Sequence, residues 1–242
     1  MKPSLSRRVV AEFVGTLLLL AAVVGSGIMA ERLAGGNIAL ALLANTIATG
    51  AALVAIILAF GPISGAHLNP AVTLADAWQG GIAWRETPAY IVAQLAGALA
   101  GVAVAHLMFG LPLLSPSRHI RGGPAQIFSE FVATFGLFAV IWGCVRQRPA
   151  AVPFAVGTYI TAAYWFTAST SFANPAVTIA RSLTNTFAGI RPVDVAAFVA
   201  AQFAGAFAAT LLFRWLIPSL PEAAPSVLMP HDNNQRRTES DH

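Results

Sequence analysis

The chain has 242 residues, 57% of them hydrophobic and only 10% charged, with a mean hydropathy of +0.70, which excludes a soluble domain and fits an integral membrane protein with several spans. A net charge of +4, spread over short loops and the two tails, suits neither a nucleic-acid binder nor an acidic scaffold and reads as membrane topology. The one cysteine, Cys144, excludes an intrachain disulfide framework and any multi-cysteine metal site and is expected to be a packed small residue.

Lys2, Arg7 and Arg8 precede an apolar run over about 9–30 that is too long for a signal peptide and predicts a retained first span. A second span is expected over about 39–60, followed by a short helix over about 69–78. Asn69 is its N-cap and Pro70 its first helical residue, because Asn satisfies an orphan amide and Pro supplies a preset φ without needing its missing donor. At about ten residues this helix has roughly half the length that a bilayer requires. Span 3 is expected over about 88–109, a Gly/Pro/Ser-rich loop over 110–124 and span 4 over about 125–145. Arg146-Gln147-Arg148-Pro149 then makes a tight turn. Span 5 follows over about 152–168, a second short helix starts at Asn174, and span 6 runs over about 193–217. The stretch 218–242 is polar, Pro-rich and without periodicity, which predicts a disordered cytoplasmic tail.

The chain repeats itself. His67-Leu68-Asn69-Pro70-Ala71-Val72-Thr73-Leu74-Ala75 matches Phe172-Ala173-Asn174-Pro175-Ala176-Val177-Thr178-Ile179-Ala180, so Asn69, Pro70 and Ala71 correspond to Asn174, Pro175 and Ala176. Glu12-Phe13-Val14-Gly15-Thr16 echoes Glu130-Phe131-Val132-Ala133-Thr134, and Ala93-Gln94-Leu95-Ala96-Gly97 echoes Ala201-Gln202-Phe203-Ala204-Gly205. One half covers about 8–109 and the other about 125–217, within a single domain 1–217. Three full spans per half force the halves into opposite orientations, an architecture common in proteins that pass solutes. The short helices then enter from opposite faces and their N-termini can meet near the midplane, where irregular backbone is tolerated only around a cavity. An even number of full spans puts both termini on one side. If that side is cytoplasmic, nine of the fourteen Lys and Arg residues lie inside and Arg32, Arg118, Arg121, Arg181 and Arg191 lie outside, which favours termini inside.

With two Asn-Pro-Ala boxes in inverted three-span halves, and Glu12 and Glu130 within spans, the chain resembles the aquaporin and aquaglyceroporin family over about residues 8–217. One box alone also starts ordinary helices, but its duplication in register with the span count is specific. The resemblance implies an all-α membrane fold of six transmembrane helices and two half-helices, and a homotetramer with a pore in each protomer. Each helix N-terminus carries about half a positive charge. Two facing each other oppose cations, while the Asn69 and Asn174 amides offer donors to a passing oxygen. Glu12 and Glu130 are costly in hydrocarbon and so are functional candidates. The resemblance implies that they brace the loops ahead of the half-helices from behind the pore wall, and His67 is grouped with them. Gly97 and Gly101 have the spacing of a close helix crossing.

Selectivity in this family is set at a narrow filter. Counting without gaps from the two Asn residues places it at Thr49, Ala162, Ser171 and Val177. An Arg is usual at the last position, and Val neither narrows the pore nor donates nor repels cations. With Ala162 and Ser171 both small, the filter is expected to be wide and weakly polar. Arg181, one turn beyond Val177, and its repeat mate Asp76 are candidates for the two mouths, the alternative being that each pairs with a loop partner or carbonyl. The stretch 174–190 looks like a bacterial subgroup of aquaglyceroporins associated with arsenic resistance, in which Val replaces the filter Arg. The resemblance therefore implies a passive channel in the bacterial inner membrane for small neutral hydroxylated solutes: arsenite, methylated arsenicals, glycerol and water. A general water and glycerol facilitator is the alternative in the same class. A coupled transporter would need an ionisable relay, for which only Glu12, Glu130 and His67 are available. No enzyme motif, cofactor site or metal site is read from the chain.

Overall fold

Eight α-helices make up the regular structure of the computed structural model, which describes residues 3–145 and 148–217. The tail expected at 218–242 lies outside the described residues. Five helices are long and apolar enough to cross a membrane: α1 (Leu5–Leu33), α2 (Ile38–Ser64), α4 (Thr87–Met108), α5 (Pro124–Val145) and α8 (Val195–Leu216), the last entered through a 3-10 turn at Pro192–Asp194. α6 (Val152–Phe166) takes the sixth place with 15 residues, about 22 Å of helix, preceded by a 3-10 turn at Pro149–Ala151. It stops two residues before the expected end because Thr167 turns to extended backbone after its amide bonds to Ala163.

The two short helices are α3 (Pro70–Gln79), with ten residues, and α7 (Pro175–Arg181), with only seven. α7 is cut short because the chain beyond it is drawn into a loop pairing, in which the amides of Ser115 and Ser117 donate to the carbonyls of Leu183 and Ser182 at 3.0 and 2.9 Å. Helix ends elsewhere follow local chemistry. Asn37 caps α2 by accepting from the Leu40 amide at 3.0 Å, and Gly65, at φ 90°, closes it in the left-handed conformation that glycine adopts freely.

Packing repeats in the two halves. α1 packs against α2 and α4, α5 packs against α6 and α8, and α2 against α6 joins the halves. Each short helix touches the last span of its own half and of the other: α3 meets α4 and α8, and α7 meets α8 and α4. Glycines set the closest crossings. A Cβ on Gly97 would intrude on the carbonyl oxygen of Phe13, one on Gly101 on that of Leu17, and one on Gly205 on that of Phe131. Close approach of this kind replaces the hydrophobic driving force that is absent between helices in lipid. Apolar side chains fill the core and also cover the outside, where Leu40, Leu43, Ile47, Leu58, Phe207 and Leu211 are exposed, while Glu12, Gln94, Glu130 and Gln202 are fully buried.

Candidate functional site

The meeting point of the short helices is built from reciprocal bonds. Asn69 Oδ1 caps its own helix by accepting from the Ala71 amide at 2.9 Å, and its Nδ2 donates to the carbonyl of Ala173 at 2.8 Å. Asn174 Oδ1 accepts from Ala176 and Val177 at 3.0 and 3.3 Å, and its Nδ2 donates to the carbonyl of Leu68 at 2.7 Å. Each Asn thus holds the residue that precedes the other. One Nδ2 hydrogen of each amide is used in this exchange and the second remains for a solute.

Leu68 and Ala173 present those carbonyls from left-handed backbone, at φ 52° and 47°, and Ala66, Thr170 and Ser171 share the conformation at 45°, 61° and 50°. Residues with a Cβ pay for this geometry, so something must impose it. The two buried carboxylates do. Glu12 accepts from Ser64 Oγ at 2.6 Å, from the His67 and Leu68 amides at 2.9 and 2.7 Å, and from Gln94 Nε2 at 2.8 Å. Glu130 accepts from the Phe172 and Ala173 amides at 2.9 and 3.0 Å and from Gln202 Nε2 at 2.6 Å. Gln94 and Gln202 also donate to Thr73 and Thr178, whose hydroxyls donate to the carbonyls of Asn69 and Asn174. Turning the loop amides toward a carboxylate leaves the alternate carbonyls facing the opposite way, toward the lumen or the other half.

A central lumen runs past these groups. Asn69, Asn174, His67, Leu68 and Ala173 line its middle, and Leu19, Leu53, Ile57, Leu137, Ile141, Val152, Val156 and Ile160 give it long apolar walls. Such walls offer a solute nothing to bind except at the few polar positions. Thr49, Ser171 and Val177 lie on the wall together with Tyr164 and Arg181. Ala162 does not: it is exposed on the outside of α6, about 200° round the helix from Tyr164, whose hydroxyl reaches Thr49 Oγ1 at 3.4 Å. The gap-free count fails here because helix phase depends on loop length. Seven residues separate α6 from Asn174, whereas four separate α2 from Asn69. The wall position expected to carry the Ala162 methyl group is thus taken by the Tyr164 phenol. Ser171 Oγ is buried without a hydrogen bond to any described residue. It is a donor and acceptor left for whatever passes.

The two mouth candidates part company. Arg181 lines the lumen, donates from Nε to the carbonyl of Ala188, and stacks with its guanidinium carbon 3.4 Å from the Phe172 ring centroid. Asp76 is buried off the lumen, 3.6 Å from His67 Nε2 and against Gly81. His67 Nδ1 lies 3.0 Å from Thr73 Oγ1, and its ring is tilted on Tyr90. At the face carrying the N-terminus, Arg8 forms a two-pronged pair with Glu86 at 3.0 and 2.8 Å. Two residues that sequence reasoning passed over belong to the site. Tyr164 continues the four-residue spacing Val152, Val156, Ile160 along the inner face of α6, a signal that could have found it. Arg121, from the long loop before α5, is buried against the loop that carries Ser171, donating to the carbonyls of Ser169 and Gly189 at 3.1 and 2.8 Å. No signal in the sequence places it there. Among the described residues, no cluster of His, Cys, Asp and Glu is arranged to hold a metal.

Comparison with known proteins gives a consistent picture. The model of the family described as major intrinsic protein matches residues 1–152 and 144–239. An aquaglyceroporin of Rhizobium meliloti (strain 1021), AqpS, is 58% identical over 229 residues, covering 91% of this chain and 98% of that protein. The rice aquaporin NIP1-4 is 37% identical over 207 residues, covering 82% of this chain and 72% of its own length. The X-ray structure of the aquaglyceroporin from Plasmodium falciparum superposes with a TM-score of 0.69 at 22% identity, over 90% of this chain and 99% of that one, a likeness of fold.

Proposed function

The chain belongs to the major intrinsic protein family, whose members are channels and not enzymes, and from that premise we propose that it is a passive channel for arsenite, methylated arsenicals, glycerol and water. It is a multi-pass membrane protein, and the likeness to AqpS supports an aquaglyceroporin that carries glycerol and water. The arsenical cargo rests on the resemblance of 174–190 to the arsenic-associated subgroup, in which Val stands where the filter Arg is usual, and Val177 does lie on the lumen wall with Thr49 and with Ser171, whose hydroxyl has no bond to a described residue. Arsenous acid is a neutral triol at physiological pH, as glycerol is, and the hydroxyls of Thr49, Ser171 and Tyr164 with the guanidinium of Arg181 offer either the same hydrogen bonds. We place the protein in the bacterial inner membrane with both termini inside, as the distribution of basic residues favours, and assembled as a homotetramer as the family resemblance implies.

Stopped-flow permeability of proteoliposomes to water, glycerol, arsenite and a methylated arsenical tests this. All four are expected to enter faster than into empty liposomes, and to do so equally when proton and sodium gradients are collapsed. Tyr164 favours a second reading, a water and glycerol facilitator without an arsenic role. Arsenite uptake no faster than in empty liposomes, with glycerol uptake intact, would establish that reading.

A further inference from the structure

We propose that Arg121 and Arg181 together form a charge-selective collar at the filter and supply the cation barrier that Val177 does not. Both are buried, and both guanidinium groups lie over the same ring, Phe172, with carbon-to-centroid distances of 5.1 and 3.4 Å. Among the described residues neither forms an ion pair with a carboxylate. Asp194, which accepts the Arg121 backbone amide at 2.9 Å, gives its carboxylate to Arg191 at 2.9 Å. Glu130 is engaged by Phe172, Ala173 and Gln202. Arg181 on the lumen wall and Arg121 in the loop off it, on the same Phe172 ring, thus carry charges with no carboxylate partner among the described residues, and in surroundings of low polarity such charges act on a passing ion far more strongly than in water.

The two arginines have different parts. Arg121 is locked: Nε and both Nη groups bond the carbonyls of Gly189, Ser169 and Phe187 and the hydroxyl of Thr170, which fixes the loop that carries Ser171. Arg181 uses only Nε, on Ala188, and neither Nη bonds a described residue while the side chain lines the lumen, so its donors face the solute. The collar thus repels cations and offers a neutral hydroxyl the hydrogen bonds of a guanidinium, from a point one turn beyond residue 177. His119, in the same loop as Arg121, stays neutral at physiological pH, because burial and then the two neighbouring guanidinium groups push its pKa down.

The experiment compares potassium and proton flux in proteoliposomes of the wild type with Arg181→Gln, Arg121→Gln, the double variant and the two charge-keeping Lys variants. Glycerol flux above that of empty liposomes marks a folded pore. The Gln variants are expected to raise cation flux by roughly ten- to a hundredfold, and the Lys variants to keep it low. Cation flux at the wild-type level in a folded double Gln variant would overturn the collar. If the Gln variants do not assemble, Ser171→Cys in a Cys144→Ala background serves: an anionic thiosulfonate reagent should modify it at least about tenfold faster than a cationic one of similar size, and equal rates would overturn the proposal. The inference rests on the channel reading but not on the arsenical cargo, and a wild type that passes no glycerol would remove that reading itself.

Discussion

At the residue scale, the proposed selectivity turns on Tyr164 and Val177. Tyr164→Ala would remove the phenol ring of α6 from the lumen wall, so passage of glycerol and methylated arsenicals should rise several-fold relative to water in stopped-flow measurements. Val177→Arg would add a third guanidinium beside Arg181 and should depress the larger solutes more than water; unchanged size selectivity would place the constriction elsewhere. Glu12 and Glu130 make a matched pair for a stability test. A carboxylate accepts only, and each here faces backbone amides and a Gln amide. Gln at either position would turn one acceptor into a donor aimed at donors, costing about 2–4 kcal/mol and lowering the midpoint of thermal unfolding in detergent. The boxes and the glutamates were legible in the sequence because the repeat prints them twice. Ala162 was misread and Arg121 passed over for one reason: each depends on the path of a loop, which no periodicity encodes.

At the element scale, the crossings of α1 with α4 and of α5 with α8 depend on the absence of a methyl group. Gly97→Ala and Gly205→Ala would push Cβ into the Phe13 and Phe131 carbonyls and force the helix pairs apart, with an expected loss of about 1–3 kcal/mol each, measured by detergent-resistant unfolding. Gly143→Ala, in α5, is the control. Its Cβ would meet only the Phe213 ring at 3.5 Å, an ordinary contact, and the change should be neutral or slightly stabilising, since alanine is the better helix former. The spans were readable from apolar length, and the Gly97–Gly101 spacing announced a crossing. The short α7 was not foreseen, because its end is set by the pairing of Ser115 and Ser117 with Ser182 and Leu183, sixty-odd residues apart in the chain.

At the scale of the whole molecule, the halves are tied by two bonds that swap partners. Asn69→Ala loses a cap on α3 and a tether on Ala173; Asn174→Ala loses the mirror pair. In a double-mutant cycle on unfolding the two should couple by about 0.5–3 kcal/mol, whereas independent caps would add. The inverted architecture itself followed from an odd span count per half, a parity argument that needs no coordinates. What parity does not contain is which backbone atoms exchange bonds across the centre.

The tethers also bear on how the molecule is made. The acceptor for the Asn69 amide lies 104 residues further along the chain, and the donor for Leu68 lies 106 residues from it. While a ribosome is still adding α4 or α5, α3 has been synthesised but its amide and the carbonyl beside it have no permanent partners, in a setting where unpartnered polar backbone is costly. Commitment of the first half therefore waits on the arrival of the second. The loop before α7 seals the loop before α3, and a nascent chain that stops short of Ala173 carries an open pore half that only water, lipid headgroups or the insertion machinery can satisfy.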